Sequence, residues 1–196
     1  MKNSLKFILC ISLAINCNID VRQLPTPKEF PENNINDLTK KIFIRNFEFK
    51  NNLIKDVLPA WKFTLISYLK NDDYLSKNFS FIDNNTHIDE LHTIDIFIEP
   101  IFIESRNYWW SLPVIFPFSG YWPIHYRNLE YSVNIYFYIY KKNNLIYSNQ
   151  ILEKDNLSLY FYGLLRTQKF EYLIENTNLK AMNACVNSIS LFFAQF

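Results

Sequence analysis

The chain has 196 residues, of which 49% are hydrophobic and 20% are charged, and this composition supports one folded domain and excludes global disorder. Twenty Lys and Arg residues against nineteen Asp and Glu residues leave a net charge of +1, which excludes a strongly basic nucleic-acid-binding protein. Because the chain contains two glycines, it has no Gly-rich loop of the kind that cradles phosphates. We therefore expect no nucleic-acid partner.

Residues 1–16 have the pattern of a secretory signal peptide. Lys2 and Lys6 precede an apolar run over residues 7–15. A bilayer core of about 30 Å needs about 20 apolar residues in a helix, so this run is too short to span it. A buried N-terminal helix or strand is the alternative, but the polar stretch that follows offers nothing to pack against it.

The segment Leu13-Ala14-Ile15-Asn16-Cys17 resembles the lipobox of a bacterial lipoprotein precursor, in the relaxed form found in spirochaetes, with Asn directly before the Cys. The resemblance covers the first 17 residues. It implies that Cys17 carries diacylglycerol on its thiol and a third acyl chain, such as palmitate, on its amine. The membrane would then be a partner through these chains, which anchor more firmly than a single chain does. Cys10 is rejected as the acceptor because no small residue precedes it.

The same resemblance implies a protein of the cell envelope, held at the outer membrane with its domain on the periplasmic or surface side. If Cys17 is acylated, Cys185 is the one thiol left in the mature chain and no internal disulfide forms. If cleavage falls earlier, Cys17 and Cys185 could pair. Cys185 lies in an apolar stripe next to Val186, so we expect it to be buried in the core.

Residues 17–40 contain three prolines and no apolar periodicity, which predicts an extended tether between the lipidated Cys17 and the domain. Alternation then predicts a strand over 41–49. Apolar residues at spacings of three and four predict an amphipathic helix over 52–70, in which Pro59 either kinks the helix or marks its first turn. A short strand is predicted over 78–82.

Four more elements follow in the second half of the chain. The pattern predicts a strand over 94–103 with a β-bulge at Glu99-Pro100. A strand over 130–140 is followed by a hairpin turn at 141–144 and a strand over 145–152. The last element is a C-terminal helix to Phe193, capped by Asn176 or Thr177. The bulge is inferred because the parity of the apolar residues changes there. Tyr136, Tyr138 and Tyr140 are expected on the face opposite the Val, Ile and Phe residues of this strand.

This element order predicts an α+β two-layer sandwich with a mostly antiparallel sheet, helices on one face and a long aromatic loop between two strands. Residues 41–196 would form this single domain. The order is similar to that of small periplasmic α/β domains used by outer-membrane accessory lipoproteins.

The loop over 108–124 contains three of the four Trp residues and no charged residue. Its three prolines exclude a helix or a central strand. It either folds back as a packed lid or stays exposed as a contact surface for a protein or membrane. The candidate contact or lid residues are Trp109, Trp110, Phe116, Phe118, Tyr121 and Trp122. Phe116 and Phe118, beside Pro117, are expected to be the most exposed.

No catalytic motif stands out in the sequence. His87 and His92 are five residues apart, whereas a helical zinc site needs a spacing of four, so we interpret this segment as a solvated loop. We expect no enzyme activity, no metal and no cofactor. The sequence predicts a non-enzymatic accessory or interaction module, with an envelope protein as a further partner. The alternative is a lipid- or glycan-binding carrier or enzyme with a cleft under the loop 108–124.

Overall fold

The computed structural model describes residues 19–30, 40–51, 55–82, 91–106, 127–159 and 166–195. The strands are β1 (Lys40–Phe49), β2 (Phe79–Ile82), β3 (Leu91–Arg106), β4 (Arg127–Lys141) and β5 (Asn144–Leu159). The helices are α1 (Leu58–Lys70), α2 (Asp73–Asn78) and α3 (Arg166–Gln195), and a short 3-10 turn (Lys55–Val57) precedes α1.

The five strands form one sheet in the order β2-β1-β3-β4-β5. β1 is parallel to both β2 and β3, whereas β3, β4 and β5 are antiparallel neighbours. A parallel pair needs a crossover connection, and α1 with α2 supplies it between β1 and β2. The predicted α+β sandwich is confirmed, with a sheet that is antiparallel along its long strands and parallel at the β2-β1-β3 side.

The alternation in β4 explains why the sheet has one helix-covered face. Its Val, Ile and Phe side chains are fully buried, at 0% exposure: Val133, Ile135, Phe137 and Ile139. Tyr131 belongs to the same face and donates its hydroxyl to Asn178 Oδ1 on α3 at 2.9 Å. The tyrosines at even positions, such as Tyr136 and Tyr138, lie on the open face, as predicted.

Helix α1 packs its apolar stripe on this core. Trp61, Leu65 and Leu69 are buried, and the Trp61 ring meets Phe49 of β1 edge-on at 6.1 Å. Pro59 lies in the first turn of the helix, where its missing N–H costs no hydrogen bond. Of the two predictions for Pro59, the structure confirms that it marks the first turn of the helix.

Helix α3 begins at Arg166, so the predicted cap at Asn176 or Thr177 is wrong. Thr177 is buried inside the helix and donates its hydroxyl to the Leu173 carbonyl at 2.8 Å, one turn back. The apolar stripe continues upstream of it through Phe170 and Ile174, both at 0% exposure. Thr177, which resembles a helix cap in the sequence, is therefore an interior residue of α3, and its hydroxyl is hydrogen-bonded within the helix.

The predicted bulge at Glu99-Pro100 is also wrong. The β3–β4 register runs without a shift from His92↔Lys141 to Arg106↔Arg127. Ile101 and Ile103 consequently lie on the open face, with 41% and 54% exposure. The shift in β1 pairing is instead between Ile44 and Asn46.

The predicted hairpin turn between β4 and β5 is confirmed. Lys142 and Asn143 form the two-residue turn with φ of 50° and 64°. Positive φ at both central residues matches the right-handed twist of the flanking strands. β5 continues to Leu159, beyond its predicted end at residue 152, because its alternation of half-buried and exposed residues extends that far.

Candidate functional site

Residues 19–30, which we call the strap, lie against the helix layer. Ile19 is 9% exposed and belongs to the hydrophobic core, and Val21 and Leu24 pack partly buried against it. These residues were predicted as part of an extended tether, and the sequence did not indicate that they pack. The predicted domain boundary at residue 41 therefore leaves out residues that contact the core.

Hydrogen bonds from both long helices reach the backbone of the strap. Asn178 of α3 donates to the Gln23 carbonyl at 2.7 Å, and Tyr68 of α1 donates to the Thr26 carbonyl at 3.3 Å. Ser67 Oγ accepts from the Lys28 N–H at 3.0 Å. Because these partners on the strap are main-chain atoms, the three hydrogen bonds do not require particular residue types at Gln23, Thr26 and Lys28. Together with the packing of Ile19, Val21 and Leu24, they hold the strap on the helix layer.

The start of the strap lies near the beginning of α3. The Asp20 N–H donates to Glu171 Oε1 at 3.3 Å. The Asp20 carboxylate accepts from the Arg22 Nε at 2.8 Å, and this hydrogen bond holds the pKa of Asp20 below its usual value. Ile19 and Asp20 are thus placed beside the first turns of the helix.

The ends of β3 and β4 meet at the same side of the domain. Arg127, the first residue of β4, is buried and donates from Nε to Glu104 Oε1 at 2.6 Å. Its guanidinium lies 5.6 Å from the centre of the Phe170 ring on α3, the residue before Glu171. A buried guanidinium needs such a carboxylate partner, so we assign this pair a structural role at the sheet end.

The end of the domain formed by Asp20, Arg127, Phe170 and Glu171 is called the strap end below. The connection between β3 and β4 leaves and re-enters the sheet there, at Arg106 and Arg127. The predicted contact or lid residues lie outside the described residues: Trp109, Trp110, Phe116, Phe118, Tyr121 and Trp122. Cys17, the predicted acylation site, also lies outside the described residues.

A groove of about 530 Å³ lies between β5 and the first half of α3. It is lined by Asp155, Asn156, Leu157, Gln168, Lys169, Tyr172, Leu173 and Asn176. Tyr172 is 68% exposed, and Asp155 pairs with Lys180 at 3.1 Å. The groove combines one open aromatic ring with amide and charged groups, a set of groups that suits a polar ligand with an apolar face.

A second groove of about 360 Å³ lies beside β1, with Arg45, Lys62 and Ile66 in its lining. Arg45 there donates two hydrogen bonds to the buried Asp95, at 2.9 and 2.6 Å, and its guanidinium stacks on Tyr140. The hydrogen bonds to Asp95 raise the pKa of Arg45. The charge of Arg45 is therefore already compensated by Asp95.

Two side chains that could be reactive, Cys185 and His92, lie in the described part of the chain. Cys185 is a free thiol in the described residues, is fully buried as predicted, and burial raises its pKa to about 12. His92 lies edge-on to Phe193 at 5.2 Å, and burial together with Lys141 and Lys40 lowers its pKa. His87 lies outside the described residues. No group of three His, Cys, Asp or Glu side chains that could hold a metal occurs in the described ranges.

The residues that hold the middle of the strap were not found from the sequence. Asn178 joins three elements, because it accepts from Tyr131 on β4 and donates to Gln23 on the strap. Burial raises the pKa of Tyr131, so this phenol stays protonated as a donor. The available signal was the two polar residues Thr177 and Asn178 within an otherwise apolar helix stripe. The sequence pattern predicts a cap at Asn176 or Thr177 and assigns no role to Asn178.

Comparison with known proteins places the chain in a family and shows its fold. A protein-family model matches residues 7–190, and the chain belongs to that family. No curated protein sequence matches the chain. Within the parts of the chain that the structure describes, no helix has the length and apolar character needed to cross a bilayer.

Two solved structures align with this chain at 10% sequence identity. A structure described as a neuraminyllactose-binding hemagglutinin homolog from Helicobacter pylori aligns with a TM-score of 0.50, over 87% of this chain and 90% of that one. Rare lipoprotein B from Shewanella oneidensis aligns with a TM-score of 0.47, over 80% of this chain and 98% of that one. At this identity the first likeness shows the fold alone.

Proposed function

We propose that this protein is an acyl-anchored lipoprotein of the cell envelope, whose α+β domain acts as a non-enzymatic binding module. The observation that carries the proposal is the lipobox-like segment ending at Cys17, which stands two residues before the buried Ile19. Acylation at Cys17 would therefore attach the lipid directly to the packed domain. The outer membrane is the proposed location.

The buried polar groups support a binding module over an enzyme. Asp95 is held by Arg45, Arg127 by Glu104, and Asn178 by Tyr131, all in hydrogen bonds that join neighbouring elements. Catalytic groups are typically perturbed side chains that face a cleft and a substrate. These groups are buried in the fold and stabilise it.

Fatty-acid labelling tests the anchor. In a diderm host fed with labelled palmitate, the wild-type protein should incorporate label, and Cys17→Ala should abolish it and leave an uncleaved or soluble form. Cys185→Ala is the matched control, because it removes the other thiol of the mature chain without touching the lipobox. Label that survives Cys17→Ala would overturn the lipoprotein assignment.

Tryptophan substitution separates a contact surface from a lid. If Trp109 and Trp122 form the binding surface, changing either to Ala should leave the melting temperature nearly unchanged and abolish association with vesicles or an envelope protein. If they are a packed lid, each change should lower the free energy of unfolding by about 3–5 kcal/mol. Variants that change neither stability nor association would contradict both roles for the loop.

The groove between β5 and α3 favours a second candidate, a carrier of glycans or lipids. Its volume of about 530 Å³ is within the range of small-molecule sites. Neuraminyllactose is a suitable first probe, because the description of the Helicobacter pylori structure names it. Tyr172→Ala should weaken its binding, and Leu191→Ala, at an exposed position farther along the same helix, should not. If calorimetric titration gives the same affinity for neuraminyllactose in both variants, that result would count against this candidate.

A further inference from the structure

We propose that Asn149 and Asp155 close the outer edge of β5 to strand pairing, and that a second copy of this chain is the strand that this edge would accept without them. β5 is the last strand of the described sheet, and its edge runs from the hairpin turn to the strap end, where Leu159 pairs with Arg127. An edge strand presents main-chain groups that can pair with another chain. The inference does not depend on the acylation of Cys17, because every residue that carries it lies in the described sheet or in α3.

The direction of the main-chain groups of β5 follows from the pairing of the strands. The Lys50 N–H donates to the Ile98 carbonyl at 2.9 Å, so the even-numbered residues of β3 point their N–H and carbonyl groups toward β1. The odd-numbered residues of β3 therefore point toward β4, where they pair with even-numbered residues. The odd-numbered residues of β4 point the other way, and from 127 to 139 they pair with odd-numbered residues of β5. The even-numbered residues of β5 from 148 to 158 consequently point their main-chain groups to the outer edge.

Two of these outward N–H groups are bonded by the side chain of the preceding residue. The Gln150 N–H donates to Asn149 Oδ1 at 2.8 Å, and the Asn156 N–H donates to Asp155 Oδ1 at 3.0 Å. A strand added at this edge would have to place its own carbonyl oxygens where these side-chain oxygens lie. Two acceptor oxygens at one donor repel each other, so regular pairing is interrupted at both positions.

Helix α3 holds both blocking side chains in place. Asn149 Nδ2 donates to Ser188 Oγ at 2.9 Å, and Lys180 Nζ donates to Asp155 Oδ2 at 3.1 Å. Each blocking side chain thus binds the helix with one polar atom and the edge with the other. Because the helix already orders these side chains, they lose little further conformational entropy when they block the edge.

β5 lacks two features that protect many edge strands, namely proline residues and bulges. Its 16 residues contain no proline, and its pairing with β4 is regular from Tyr147 to Leu159. The charge of Lys154 is bound to Glu130 on β4, at 2.5 Å. Leu152, near the middle of the strand, is 59% exposed. A long, regular edge with an exposed apolar side chain favours association with another strand, so the two blocked positions have a clear effect to prevent.

A second copy of β5 fits this edge. In an antiparallel pair about a two-fold axis at Leu152, the exposed Leu152 side chain meets its own copy. The same register places Lys154 opposite Gln150 and Glu153 opposite Ile151. Like charges directly opposite each other destabilise strand pairs, and this register has none over residues 147–157. The edge is therefore complementary to itself.

Amide hydrogen exchange in the full wild-type chain tests the two blocked positions. The outward amides of Gln150 and Asn156 are bonded, whereas those of Leu152 and Lys154 face the open edge. After correction for intrinsic rates, NMR should show exchange about two- to ten-fold slower at Gln150 and Asn156. Equal rates at the four positions would overturn the inference. This measurement needs no variant, so it decides the question even for a variant that does not fold.

Removal of both acceptors tests the second copy. Asn149→Leu together with Asp155→Leu keeps the size of the side chains and deletes the two oxygens at the edge. We measure the protein mass of the full chain by sedimentation equilibrium in density-matched detergent, with micelles in large excess over protein. The wild-type protein should sediment as one chain. The double variant should approach about twice that mass as its concentration rises.

A matched double variant controls for the added apolar surface. Glu153→Leu together with Asn156→Leu adds two leucines to the same strand, removes one carboxylate and one amide, and leaves both blocking oxygens in place. Because the edge stays blocked, this variant should sediment as one chain. Its unfolding by circular dichroism, compared with that of the first double variant, verifies that both are folded.

A proline at the edge tests where the second copy binds. Gln150→Pro, added to Asn149→Leu and Asp155→Leu, removes an outward N–H and costs no bond to β4, so the mass should return to that of one chain. Gln150→Ala in the same background keeps the N–H and should leave the association intact. Association that survives the proline would place the contact elsewhere and overturn the inference.

The remaining outcomes are equally decisive. A wild-type protein that sediments as a dimer would show that the edge is not closed. A double variant that stays a single chain at every concentration would show that the two side chains close nothing. Association of the matched leucine control to the same extent would attribute the effect to apolar surface. None of these results bears on fatty-acid labelling at Cys17, so the proposed function is tested separately.

Discussion

Strands β1 and β3 carry the same irregularity in their sequences and resolve it in opposite ways. In β1 the apolar residues Ile42 and Ile44 are followed by Phe47, one position out of phase. In β3, Ile98 is followed by Ile101, again one position out of phase. β1 keeps Ile42, Ile44 and Phe47 in the core, whereas β3 places Ile101 on the open face.

β1 absorbs the change of phase through Arg45. Ile44 pairs with Ile94 and Asn46 with Asp95, so Arg45 is an extra residue without a partner on β3. Such a bulge returns Phe47 to the core side, where it is 8% exposed. The Arg45 side chain then reaches Asp95, whose carboxylate is nearly buried, and this ion pair holds the bulge in place.

β3 has no such extra residue, and Pro100 does not force one. Asn51 Nδ2 donates to the Pro100 carbonyl at 2.6 Å, so that carbonyl points away from β4. The N–H and carbonyl of one residue in a strand point to the same side, so the N–H that proline lacks would also have pointed away from β4. No bond of the β3–β4 ladder is lost, and the strand stays regular. A change of phase thus becomes a bulge only where the neighbouring strand leaves one residue unpaired and a buried side chain binds that residue.

Deleting Arg45 should have the largest effect, because it removes the bulge and the ion pair together. Without Arg45, Asn46 follows Ile44 directly, so simple alternation keeps Phe47 and Phe49 on the core side. The nearly buried Asp95 carboxylate loses its partner, and we expect a loss of about 3–5 kcal/mol. Urea unfolding followed by circular dichroism measures it. A cooperative transition near the wild-type midpoint would contradict this account of β1.

Arg45→Ala keeps the residue count and removes only the ion pair. The nearly buried Asp95 would lose its two charged hydrogen bonds, so we expect a loss of about 2–4 kcal/mol. Arg45→Lys is the matched control and should recover part of the loss, because an ammonium cannot bind the carboxylate with two parallel bonds. An alanine variant as stable as the wild-type protein would show that the bulge does not need this pair.

Pro100→Ala tests the regular path of β3. Because proline costs no bond to β4 there, we expect the free energy of unfolding to fall by about 1 kcal/mol or less, mainly through greater freedom of the unfolded chain. The same urea titration measures it. A change above about 2 kcal/mol in either direction would mean that Pro100 shapes the strand in a way this account omits.

Ile103→Thr should have the smallest effect. Its side chain is 54% exposed, and threonine suits a strand, so we expect a change within about 0.5 kcal/mol. Ile98→Thr, in the same strand but at 0% exposure, is the matched control and should cost about 2–4 kcal/mol. Equal costs at the two positions would place Ile103 in the core and restore the predicted bulge.

The regular elements could be predicted because their signals are local. The alternation of β4, the stripe of α1 and the hairpin turn each depend on residues close together in the chain, and each is confirmed. The start of α3 was misplaced because Thr177 forms the same kind of hydrogen bond within a helix as at a cap. The candidate loop residues and Cys17 stay predictions.

The sequence by itself determined the α+β class, the helix-covered face of the sheet and the burial of Cys185, because apolar periodicity selects the side of each element that leaves water. Only the tertiary structure decided which change of phase becomes a bulge, since that depends on Asp95 and Asn51, far from the residues they hold. It also decided that residues 19–30 pack, because their main-chain atoms are bound by side chains of distant helices. Contacts of that kind leave no periodic pattern in the segment that receives them.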